Sequence, residues 1–262
     1  MNDNQQTVAG EISLSGIGLH TGADAVITIL PAEENHGVKF QRVDLEGAPV
    51  IDADCDNVTT VERGTTLEQN GGSISTIEHL MAAFVGLQID NVLVQVNGPE
   101  IPIMDGSSKP FVDALLEVGV TAQKALRDYL EIDERITFMD EDKNVEMSIL
   151  PSEDYRVTVM IDYNSPVLGS QHTMLTDIEE FVDEFSSCRT FCFFHELESL
   201  FNAGLIRGGN VDNAIVVVDE TVPQEKLDEM SSLLNKENLK VADSGYLNNV
   251  ELRYKNEPAR HK

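Results

Sequence analysis

VITILPAEENHGVKFQRVD, residues 26–44, reads as a strand, a turn marked by Pro31 and a second strand. VEMSILPSEDYRVTVMIDY, residues 145–163, reads the same way, and its Ile149, Leu150 and Pro151 fall 120 residues after Ile29, Leu30 and Pro31. An internal match of this kind points to a duplicated architecture. Both halves open with alternating strand patterns and hairpin turns. The first half then runs through a helix from Ser75, a strand in IDNVLVQV from Ile89 and a helix in KPFVDALLEVGV from Lys109. The expectation is an α+β fold of two similar domains, each a sheet with helices on one face. The first repeat takes residues 1–124 and the second 125–262, joined near residues 121–127.

Composition narrows the function. The 262 residues are 41% apolar and 24% charged, as in a soluble globular protein. No apolar run is long enough to span a bilayer, and MNDNQQTVAG has neither the basic nor the apolar region of a signal peptide. A cytoplasmic, monomeric protein with no integral membrane segment is expected. Cys55, Cys188 and Cys192 are an odd number, consistent with free thiols. A net charge of −28 repels nucleic acid and anionic lipid surfaces, so an anionic substrate would need locally gathered Lys and Arg.

STIEHLMAAF, residues 75–84, admits two readings. In one, Ser75 and Glu78 form a capping box ahead of an amphipathic helix whose stripe is Leu80, Met81, Phe84 and Val85. In the other, His79 binds a metal and Glu78 deprotonates a water. Neighbouring helical residues diverge by about 100°, so both serve one site only if it lies off the helix end. The second repeat offers a counterpart in NEPARHK, with Asn256 as N-cap, Pro258 in the first turn and His261 early in the helix. Two such helix starts facing each other would bring His79 and His261 to one metal. CRTFCFFHE offers Cys188, Cys192 and His195 as a soft metal site, but a second pair of ligands is missing there.

Six ordered blocks carry a resemblance over nearly the whole chain. SGIGLHTG, STIEHLMAA, NGPEIPIMDGSSKPF, SCRTFCFFHELESL, GLIRGGNVDNAIVV and NEPARHK resemble the UDP-3-O-acyl-N-acetylglucosamine deacetylase family, the zinc amidase of the committed step in lipid A biosynthesis. Residues 222–255 look like the versions fused to a hydroxyacyl carrier-protein dehydratase. The resemblance implies Zn2+ as cofactor, a UDP-linked acylated glucosamine as substrate, and an active site between the two domains. It implies His79 and His261 as zinc ligands and Glu78 as general base. Lys262 is implied as a substrate contact that stabilises charge developing at the amide carbonyl, and Thr190 and Phe191 as contacts to the sugar. Residues 187–219, read as strand, helix, strand, resemble the insert that forms a passage for the acyl chain. His20 and Asp105 fit either the site or its turns and receive no catalytic role.

The family pattern continues past the histidine as H-K-x-x-D, with a later histidine as general acid, and that aspartate would fall beyond Lys262. The alternative to a deacetylase is therefore an inactive fragment that retains only an acyl or nucleotide-sugar pocket. The second repeat is expected to lack its closing helices. The strands in ITFM, MSIL and VTVMI would then keep one face uncovered, making the chain poorly stable and prone to associate.

Overall fold

The computed structural model describes residues 3–234, 236, 238–248 and 250–262. In chain order the first elements are β1 (Asn4–Val8), β2 (Ile12–Ile17), β3 (Asp24–Pro31), β4 (Val38–Arg42), β5 (Val50–Asp52), β6 (Val58–Thr60), β7 (Thr66–Gln69) and β8 (Gly72–Ser75). They are followed by α1 (Glu78–Gly86), β9 (Val92–Val96), α2 (Lys109–Val118) and β10 (Val120–Leu126). Next come β11 (Ile136–Asp140), β12 (Val145–Ile149), β13 (Val157–Asp162) and β14 (Ser170–Leu175). The last are β15 (Phe191–Phe193), α3 (Leu197–Asn202), β16 (Ile215–Val217), α4 (Gln224–Leu233) and α5 (Glu257–His261). The result is a mixed α/β fold with several sheets and few helices.

The largest sheet has five strands in the order β2-β3-β9-β4-β5. β3 and β4 are not the hairpin that their sequence suggests. β9 enters between them, antiparallel to β3 and parallel to β4. The reason lies in β9 itself, where Val92, Val94 and Val96 alternate and are fully buried. A strand with such a face is most stable in the middle of a sheet, with a neighbour on either side. Leu80 and Phe84 of α1 and Phe111 and Leu115 of α2 join Ile27, Ile29, Phe40, Ile51 and the β9 valines in one core. β6, β7 and β8 form a separate three-stranded sheet, and β1 pairs with β10.

The capping box does not form. Ser75 is held in β8 opposite Thr66, and its hydroxyl donates to the Pro99 carbonyl. Thr76 then turns the chain through a left-handed conformation, φ 57°. Ile77 stands at the N-cap with no side-chain cap bond. Strand pairing therefore wins Ser75, and the Glu78 carboxylate is left for other work.

Beyond residue 126 the arrangement differs from the expected second sheet. Among the described residues β11 pairs with β12 alone, and β13 with β14 alone, as two separate antiparallel ribbons. β15 and β16 pair in parallel around α3. Phe194, Leu197, Val216, Val218, Leu227 and Met230 tie that unit to α4 in a second core. α5 packs against β13 and β14.

Phe40→Ala should test the five-stranded core, because Phe40 is fully buried in β4 beside β9. Truncating a buried Phe costs about 3–5 kcal/mol. A urea midpoint lowered accordingly, with an unchanged slope, is the expected result.

Candidate active site

α1 and α5 bring their polar residues to one place. His79, in the first turn of α1, is buried, and its Nδ1 has no hydrogen-bond partner. His261, at the end of α5, stands T-shaped to it, with ring centroids 5.2 Å apart and planes at 82°. His261 Nδ1 lies 3.2 Å from the Cys188 carbonyl oxygen. A carbonyl can only accept, so Nδ1 carries the proton and Nε2 keeps a free lone pair. Burial, then repulsion from His79, pushes His261 down to about 3. Burial also lowers His79, against the opposing pull of Glu78 and Asp105. Both rings are neutral at neutral pH, the form in which imidazole binds a metal.

Glu78 sits beside this pair, and its Oε2 accepts from the Thr65 amide at 3.1 Å. That amide belongs to the loop between β6 and β7, which also carries Arg63. Arg63 reaches across to Glu196 at 2.5 Å, and Glu196 in turn accepts from the Phe193 amide. His20 braces the same loop. Its Nε2 donates to the Arg63 carbonyl at 3.1 Å, while its Nδ1 accepts from the Ile206 amide at 3.4 Å. His20 is thus a strut between loops.

Two buried carboxylates position the surrounding segments. Glu100 accepts from the His20 amide, from the amide and hydroxyl of Thr21 and from the Thr76 hydroxyl. It thereby ties the SGIGLHTG loop to the turn before α1. Gly18 must be glycine here, since a Cβ would lie 2.3 Å from both Glu100 Oε2 and Thr21 Oγ1. Glu257, fully buried at the start of α5, accepts from the Arg189 amide, Nε and Nη2 and from the Arg253 amide. Breaking a buried pair of this kind typically costs about 3–5 kcal/mol. The pair ties α5, and with it His261, to the segment that carries Thr190 and Phe191. Arg253 also donates to Asp105 at 3.0 Å, which makes Asp105 part of the same bracing.

Thr190 and Phe191 line an apolar cleft together with Leu19, Leu200, Ile206 and Val216. The Thr190 amide donates to the Gly106 carbonyl at 2.7 Å. Lys262, which follows α5, lays its ammonium over the Phe191 ring, 5.3 Å from the centroid. Desolvation first, and then repulsion from Arg63, lowers its pKa below that of an ordinary lysine.

Among the described residues Cys188, Cys192 and His195 do not gather into a metal site. Burial pushes the Cys188 and Cys192 thiols up to about 12, the Cys188 Sγ is 3.8 Å from the Glu184 carbonyl, and His195 lies against Asp219. Among the described residues the one cluster of three metal-capable groups is Asp54, Cys55 and Asp56, all exposed. Arg63, Thr65, Glu100, Glu196 and Glu257 escaped the sequence reading as working parts. Their roles are set by contacts across long sequence separations, which periodicity does not report.

The fold and site define a mixed α/β protein with two neutral imidazoles and a carboxylate beside an apolar cleft. The model of the family described as LpxC, UDP-3-O-acyl N-acetylglycosamine deacetylase, matches residues 5–231. The chain belongs to that family. It is 47% identical to a bifunctional enzyme LpxC/FabZ of Chlorobaculum tepidum, over 99% of this chain and 56% of the relative. It is 45% identical to the LpxC/FabZ enzyme of Bacteroides thetaiotaomicron, over 98% of this chain and 56% of the relative. A UDP-3-O-acyl-N-acetylglucosamine deacetylase of Geotalea uraniireducens is 41% identical, over 83% of this chain and 71% of the relative. The chain thus spans little more than half the length of the bifunctional relatives.

The lowered histidines give stability a pH dependence with a definite sign. Unfolding returns each ring to about 6.5; for His261, between that value and about 3, the unfolded chain binds more protons, and the lowered His79 acts in the same direction. Stability, measured with a chelator present, should be complete above pH 6.5 and fall as pH drops toward 3. His261→Gln should flatten that slope in a thermal unfolding series.

Proposed function

We propose that the chain acts as a zinc-dependent amidohydrolase, removing the N-acetyl group of UDP-3-O-(hydroxyacyl)-N-acetylglucosamine in the committed step of lipid A biosynthesis. The observation that carries this reading is the facing pair His79 and His261 beside Glu78, with His79 Nδ1 buried and unpartnered. A buried polar atom without a partner is costly, and a metal would satisfy it. The donor set of neutral imidazoles suits zinc. The relatives' names supply the substrate class.

His79 and His261 would hold the metal. Zinc, when bound, supplies the Lewis acidity that makes a water nucleophilic near neutral pH. Glu78, whose Oε2 accepts from the Thr65 amide, would serve as the proton acceptor for the attacking water. The Lys262 ammonium stabilises the negative charge that develops on the amide oxygen. Thr190 and Phe191 contact the glucosamine, and the apolar cleft behind them accepts the acyl chain. The residues 187–219 form the wall of that passage. The working protein is taken to be cytoplasmic and monomeric, with the UDP-linked sugar as partner and no nucleic acid. No helix among the described residues is long and apolar enough to cross a membrane.

Zinc affinity should depend on both histidines. His79→Ala or His261→Ala should weaken it by more than the about 10- to 100-fold that loss of an outer-sphere partner causes. Zinc titration against a competing chelator reads this directly, and unchanged affinity in both variants would remove the proposed site.

Glu78→Gln should leave zinc bound and lower deacetylase turnover by about 10²- to 10⁴-fold. Gln preserves shape and can still accept from the Thr65 amide, but it cannot take the proton. Full turnover in this variant would confine Glu78 to holding the loop between β6 and β7.

A further inference from the structure

The walls of the apolar cleft are joined by contacts of two kinds. Leu19, His20 and Arg63 come to the cleft from the first half of the chain, and Thr190, Leu197 and Ile206 from the second. At Leu19 and His20 the walls are joined through the main chain. The Gly208 and Arg207 amides donate to the Leu19 and His20 carbonyls at 3.0 and 3.3 Å. The approach is so close that a Cβ on Gly208 would stand 2.2 Å from the Gly18 carbonyl oxygen. At Arg63 the walls are joined through side chains, its Nη2 lying 2.5 Å from Glu196 Oε1 with the two side chains 44% and 23% exposed. Glu196 immediately precedes Leu197, so this pair borders the cleft from both walls and on its solvent side.

The segment that carries Arg63 is built to open. Every residue from Val58 to Arg63 is exposed, and the next buried side chain is Leu67 of β7. Arg63 itself sits at φ 60°, a left-handed conformation that a non-glycine residue keeps only where surrounding contacts impose it. Among the described residues three polar contacts tie residues 61–65 to distant parts of the chain. They are the His20 ring on the Arg63 carbonyl, the Thr65 amide on Glu78, and the Arg63–Glu196 pair. Parting them uncovers no buried apolar side chain of the segment, which is the condition for low-energy local opening.

We propose that the Arg63–Glu196 pair is a strap across the cleft that retains a bound aliphatic acyl chain and parts for its entry and release. This rests on the proposed function in taking the cleft as the acyl site. Leu19, Leu200, Ile206 and Val216 suit such a chain, and pairing removes the net charge that Arg63 would otherwise present to it. Burial would raise the Glu196 carboxyl, but the bonds from Arg63 and from the Phe193 amide outweigh it and hold it below the ordinary carboxylate range. The strap is therefore an ionised pair at neutral pH. Thr65 lies two residues beyond Arg63, so closing the strap also brings the Thr65 amide to Glu78. Retaining the chain and fixing the carboxylate are one event, and Arg63 and Glu196 act as positioning residues.

Stopped-flow release of cis-parinaric acid, a fluorescent straight-chain fatty acid, from the full chain reads the strap. Arg63→Gln or Glu196→Gln should speed release by about 1.5- to 5-fold, the range that a partly exposed ion pair supplies. The double variant should be no faster than either single one, since the same contact is lost once. Arg63→Lys, which keeps the charge, should stay near the parental rate. Added salt should speed release from the parent and leave Glu196→Gln unchanged. Without the probe, the Thr65 amide should exchange faster in Glu196→Gln than in the parent, while the Leu67 amide should not change. Additive effects in the double variant, or parental release and Thr65 exchange in both single variants, would overturn the strap and leave the cleft reading standing. Uptake of the probe that Ala214→Met, which fills the cleft, does not reduce would instead overturn the cleft as the acyl site, and the retention of a chain by the strap with it.

Discussion

The entry of β9 between β3 and β4 is the constraint on which the rest of the molecule depends. β9 lies parallel to β4, and parallel neighbours cannot be joined by a hairpin, so the chain must leave the sheet and return over it. The crossing contains β5 to β8 and α1. Leu80 and Phe84 press α1 onto the valines of β9. The start of α1 is thereby placed at the edge of the core, where Thr76 turns the chain and Glu78 and His79 emerge side by side. With β9 displaced, α1 would lose the surface it packs on, and both site residues would lose their fixed positions.

Charge works against this chain globally and for it locally. At −28 the surface repels anions, yet two carboxylates are placed where they are most costly to leave unpaired. Glu100 and Glu257 are buried and each accepts from four donors. Satisfied in this way they act as fixed pins, one for the loop that ends at His20 and one for the helix that carries His261. The Glu257 pin also holds Arg189, and so draws Thr190 and Phe191 toward the histidines. Arg63, which lines the cleft, and Lys262, over Phe191, offset the overall negative potential there.

Much of the local structure was legible in the residue pattern. β9 announces itself by alternate valines, α2 by its apolar stripe, and the start of α5 by Asn256 and Pro258. Strand partnership was not legible. Residues 26–44 read as a hairpin because adjacent strands in sequence usually pair, and the strand that intervenes does not begin until Val92. The capping box failed for a related reason: Ser75 had a stronger partner in β7 than the helix could offer.

The sequence by itself determined the periodicities, the internal repeat, the residue types brought to the histidine site and the charge that any ligand must meet. These depend on neighbours a few residues apart, or on composition alone. The tertiary structure decided which strands pair, which carboxylates become buried pins, that His20 braces loops, and that Met147 and Ile149 stay exposed where Ile27 and Ile29 are covered. Each of those outcomes turns on competition between partners distant in sequence. The winner is set by burial and hydrogen-bond satisfaction across the whole fold, which no local pattern records.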